Sequence, residues 1–117
     1  MRLLCIAFAL SVCASPAVCQ SLSSVIVTPV AGSFNIHDYG DDGEGLYFIV
    51  EVNNLTPYNL SSVIVECTGL VDGDPVIMQK TIVTNISPRT TERGDMVMMN
   101  YKQRPREVTC RAVNAYQ

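Results

Sequence analysis

The residues best equipped for chemistry form one acidic segment, Asp38-Tyr39-Gly40-Asp41-Asp42-Gly43-Glu44-Gly45. Calcium takes about six to eight hard oxygen ligands, and carboxylates interleaved with glycine can fold around such an ion. Asp38, Asp41, Asp42 and Glu44 are therefore the candidate metal ligands, with calcium or a small ligand as the cargo. The spacing matches no EF-hand loop, and Gly with Asp is equally the chemistry of an exposed turn. A second donor set is softer. Met96, Met98 and Met99, with Met78 and His37, offer thioethers and an imidazole that suit cuprous copper. Strand alternation would put Met96 and Met98 on one face and Met99 on the other, which favours core packing. With a single histidine and no Gly-x-Ser-x-Gly elbow, no nucleophile has an evident base, and the reading is non-enzymatic.

The cysteines point to a compartment. Met1-Arg2 carries a positive charge, residues 3–12 form an apolar run of about ten residues, and small residues lead to Ala17-Val18-Cys19. This pattern predicts a secretory signal peptide over residues 1–19 and a mature domain over residues 20–117. Its removal takes Cys5, Cys13 and Cys19 and leaves Cys67 and Cys110. In an oxidising compartment such a pair reads as one disulfide. Periplasm and external medium are both open as destinations. Cys19 is also where a bacterial lipoprotein would be acylated, which would make the chain a membrane-anchored envelope protein. Asn54-Leu55-Thr56, Asn59-Leu60-Ser61 and Asn85-Ile86-Ser87 fit the glycosylation pattern, which matters only on a eukaryotic route.

The chain is 48% hydrophobic with a net charge of −3, which argues against a disordered or nucleic-acid-binding chain. No second apolar stretch of ~20 residues follows the first, so no transmembrane helix is expected in the mature chain. Charge is unevenly spread. Residues 34–74 hold eight acids and no Lys or Arg, whereas residues 89–111 hold six basic residues against three acids. Such a split either orients an encounter with a partner or closes on itself when the chain folds.

Period-two alternation supplies the elements that would position these groups. Leu46, Phe48, Val50 and Val52 share a face, as do Val63, Val65 and Cys67, and Val108, Cys110 and Ala112. Both cysteines fall on apolar faces, placed to meet from facing sheets. Weaker strands are expected over 25–30, 34–36, 76–84 and 96–101. Pro29 favours a sheet edge, and Asp72-Gly73 favours a tight hairpin turn. Ser87-Pro88 and Arg93-Gly94-Asp95 are expected to bracket a further connection. Six or seven short antiparallel strands in ~100 residues favour an all-β two-sheet antiparallel sandwich over a barrel.

Val50-Glu51-Val52-Asn53-Asn54, Val63-Ile64-Val65-Glu66-Cys67 and Gly69-Leu70-Val71-Asp72-Gly73-Asp74, with the Ser87-Pro88 turn, resemble small exported bacterial sandwiches of the FxLYD type. Leu70 and Asp72 fit the Leu and Asp of the naming motif, while Thr68 and Val71 stand in place of its Phe and Tyr. The resemblance implies an immunoglobulin- or fibronectin-like fold and an adhesive or accessory habit. The expected function is an exported binding module that meets a protein partner through edge strands and through the loops around 38–45 and 89–95. The alternatives are the calcium or small-ligand carrier and the lipoprotein.

Overall fold

The computed structural model describes residues 11–15 and 18–117, with side chains from residue 22 onward. The charged start and most of the apolar run assigned to the signal peptide lie outside the described residues, as do Pro16 and Ala17. The backbone of β1 (Ser11–Ser15) and β2 (Val18–Ser21), which carries Cys19, pairs as a short antiparallel hairpin. A 3-10 turn, Leu22–Ser24, leads into β3 (Val25–Pro29) and β4 (Asn35–Asp38). A second 3-10 turn, Gly40–Asp42, precedes β5 (Glu44–Asn54), and β6 (Leu60–Val71) follows. The last strands are β7 (Asp74–Ile86), β8 (Thr91–Met99) and β9 (Glu107–Tyr116).

From β3 onward these form a two-sheet antiparallel sandwich of seven strands among the described residues. In one sheet β5 is central. β3 and β4 pair with successive stretches of one edge, and β8 pairs with the other. The second sheet runs β7-β6-β9. Alternation decides what lies between them: Leu46, Phe48, Val50 and Val52 of β5 face Val63, Val65 and Cys67 of β6, all buried. Val83 and Ile86 of β7 and Met96 and Met98 of β8 complete the apolar layer. A one-residue shift in the β6–β9 register, between Val65 opposite Ala112 and Ile64 opposite Asn114, carries the buried positions of β9 from Ala112 to Ala115.

Three expectations hold directly. β3, with Pro29, is an edge strand. Asp72 and Gly73, at φ 51° and 84°, make the two-residue turn between β6 and β7. The disulfide joins Cys67 to Cys110.

Two others are corrected. The cysteines do not approach from facing sheets. β6 and β9 are neighbours in one sheet, and Cys67 and Cys110 sit directly opposite each other with Cα atoms 4.1 Å apart. An inward phase is shared by adjacent strands of a sheet as well as by facing sheets, so alternation could not tell the two apart. The bridge is a rung of a ladder, unlike the inter-sheet bridge of antibody domains. Arg93-Gly94-Asp95 is likewise no turn. It lies within β8, which starts at Thr91 and ends at Met99, short of Tyr101. Arg93 stands opposite Glu51 and bonds it, and Gly94 stands opposite Val50, so residues that resemble a turn are held by cross-strand partners.

The register also sorts the connections. One end of the sandwich collects the turn at residues 39–43, the turn at 72–73 and the connection at 100–106. The other collects residues 22–24, 55–59 and 87–90.

Candidate functional site

The acidic segment becomes the exposed turn between β4 and β5. Asp38 ends β4, and its Oδ1 accepts a hydrogen bond from the Gly40 amide at 2.9 Å. Asp41 and Asp42 occupy the 3-10 turn and face solvent. Glu44 turns elsewhere: its Oε1 accepts from Arg104 Nη2 at 3.1 Å and from the Tyr101 hydroxyl at 3.2 Å. Hydrogen bonding of Arg104 to Glu44 first, and then to Tyr101, raises its guanidinium further above the ordinary range. The four candidate ligands share a turn but not a centre. Among the described residues no three His, Cys, Asp or Glu side chains gather where they could hold a metal ion. The soft donors are dispersed as well: Met96 and Met98 are sealed in the core, Met78 is exposed on β7, and His37 is exposed on β4.

The charge split along the sequence closes on itself. Each of the four ion pairs found among the described residues joins an acid from residues 44–72 to an arginine from residues 93–111. Two are cross-strand pairs in register, Glu51 with Arg93 and Glu66 with Arg111. Glu66 is 8% exposed, and both Nε and Nη2 of Arg111 reach its Oε1, at 3.1 and 2.9 Å. β8 and β9 return beside β5 and β6, so the basic stretch lands on the acidic one.

A buried polar knot at the opposite end escaped the sequence reading. Asn54, the last residue of β5, is fully buried. Its Nδ2 donates toward the carbonyls of Tyr58, Ile86 and Ser87 at 2.8, 3.0 and 3.2 Å. Its Oδ1 accepts from the amide and hydroxyl of Thr56 at 3.0 and 2.6 Å. One side chain thereby ties the β5–β6 connection to the β7–β8 connection. The sequence showed this residue only as a turn former and a glycosylation acceptor. A buried amide with every polar atom engaged cannot carry a glycan in the folded chain, whereas Asn59 and Asn85 are exposed.

Two surface features remain. The first is the seam between the edge strands β3 and β9, an open groove of about 500 Å³. Leu22, Val25 and Val27 line one side, and Cys110, Ala112 and Val113 line the other. The second is an aromatic group on the outer face of the β4–β5–β8 sheet. The His37 ring lies 5.7 Å from that of Tyr47, edge to face, and 5.9 Å from that of Tyr39. The Tyr47 hydroxyl donates to Asp95 at 2.7 Å. That bond, aided by desolvation and the charge of Asp95, holds the Tyr47 phenol above its ordinary pKa.

Set against family models, curated proteins and solved structures, the chain finds no match.

Proposed function

We propose that this chain is an exported, non-enzymatic binding module that meets a protein partner by strand addition at the β3–β9 seam. The seam carries the reading. Among the described residues β3 pairs only with β5, and β9 only with β6, so each has one edge of backbone donors and acceptors outside any ladder. Between them, the small residues Cys110 and Ala112 of β9 line an open groove that an incoming strand could fill with alternate apolar side chains. β1 lies against β9, and loss of residues 1–19 on export would free that edge. The disulfide fits an oxidising compartment. The buried polar side chains Asn54, Thr56 and Glu66 are committed to holding loops and strands together, which suits a binding scaffold. An accessory role of this kind is also what the FxLYD-type resemblance implies.

The test is site-specific photo-cross-linking in the native host, with benzoylphenylalanine at Val113, Ile26 or Lys80. The expected result is one discrete adduct from Val113 and from Ile26, and none from Lys80 on the outer face of β7. Equal labelling from all three positions, or none, would overturn the reading.

A further inference from the structure

The aromatic group on the β4–β5–β8 face is built rather than incidental. Gly45 stands opposite His37 on β4 and opposite Met99 on β8. A Cβ at Gly45 would lie 2.7 Å from Cε2 of Tyr39 and 3.2 Å from Cγ of Met99. The Tyr39 ring therefore uses the space that the missing side chain leaves, and reaches back over the strand toward His37. Tyr47 lies two residues along the same face of β5. Its ring is fixed by the hydrogen bond to Asp95 at one end and by the edge contact with His37 at the other. Tyr39 is 37% exposed and His37 is exposed, so these two rings are open to solvent, with Tyr47 half-buried beside them. The surrounding charge is acidic: Asp95 on the sheet face, and Asp38, Asp41 and Asp42 on the adjoining turn. The faces of aromatic rings carry negative potential, and rings set at an angle beside carboxylates attract a cation too bulky and too weakly hydrated to prefer water.

We propose that Tyr39, His37 and Tyr47, with Asp95, form a site for a quaternary ammonium group. The methyl groups lie against the rings, and the acidic turn supplies the longer-range attraction. The site is separate from the β3–β9 seam and stands or falls without it.

The probe is choline, titrated into the isotope-labelled domain and followed by NMR. Its neutral isostere, 3,3-dimethylbutan-1-ol, serves as the control. Saturable shifts confined to the ring signals of Tyr39, His37 and Tyr47 are expected with choline and not with the isostere. Tyr39→Leu should weaken binding by about fivefold to tenfold. Asp95→Asn should weaken it less, and either variant keeps the fold because both side chains are exposed. Parallel titrations with phosphatidylcholine vesicles and with a trimethyllysine peptide separate a lipid headgroup from a modified protein side chain as the carrier. Equal response to the isostere, shifts confined to β3 and β9, or no saturable shift would overturn the proposal.

Discussion

At the scale of single residues, Asn54 and Tyr47 show how one side chain can govern a region that the sequence presents as unremarkable. Asn54 supplies donors to three carbonyls and an acceptor to Thr56. Asn54→Asp keeps the shape but replaces the donors with a carboxylate facing those carbonyls, and a buried unpaired charge is costly. The variant should lose about 3 kcal/mol or more in urea unfolding at neutral pH. Tyr47 acts at alkaline pH. Its phenol is held above the ordinary value, first by donating to Asp95, so the folded state keeps this proton more tightly than the unfolded chain does. The stabilisation is therefore complete below the unfolded value of about 10 and is lost as pH rises through the raised folded value. Relative to Tyr47→Phe, the native chain should lose stability above that point, and the variant should lack one tyrosinate step in absorbance. Neither role was legible beforehand. Asn54 is bound to residues 32 and 33 positions away, and nothing local in Asn53-Asn54-Leu55-Thr56 announces such partners.

The strands were far more legible than their neighbours. Period-two alternation placed Leu46, Phe48, Val50 and Val52 on one buried face, and the structure buries all four. Asp72-Gly73 was readable because a two-residue turn needs positive φ, which Gly and Asp tolerate. Which strands adjoin was not readable, because alternation fixes the face and says nothing of the partner. For this reason the pairing of Cys67 with Cys110 was found while its placement within one sheet was not. For the same reason Arg93-Gly94-Asp95 reads locally as a turn, although Glu51 and Val50 stand opposite Arg93 and Gly94 and hold the segment in β8. The rung closes a span of 43 residues, and on the chain-entropy account should stabilise the fold by about 4 kcal/mol. Cys67→Ser and Cys110→Ser should each lower stability by about that amount, and the double variant by no more than either. Single variants that melt with the native protein would show that the bridge does not constrain the unfolded chain.

At the scale of the molecule, two features set the surface available to a partner. The charge split of the sequence is partly paired off, with Glu44, Glu51, Glu66 and Asp72 meeting Arg104, Arg93, Arg111 and Arg106 at mostly exposed positions. The surface also presents an acidic turn beside exposed aromatic rings and an open seam between two edge strands. Leu22 already contacts the buried cluster, so on the signal-peptide reading the domain should not depend on residues 1–19. A chain shortened to residues 20–117 should unfold within about 0.5 kcal/mol of the full-length chain. A larger loss would make residues 1–19 part of the fold and contradict their reading as a signal peptide. The central claim, that a partner strand adds at the β3–β9 seam, is tested most directly by amide hydrogen exchange on the domain, alone and with an extract of its native host. Strand addition predicts new protection confined to residues 25–29 and 107–116. Unchanged exchange in both strands, or protection elsewhere alone, would contradict it.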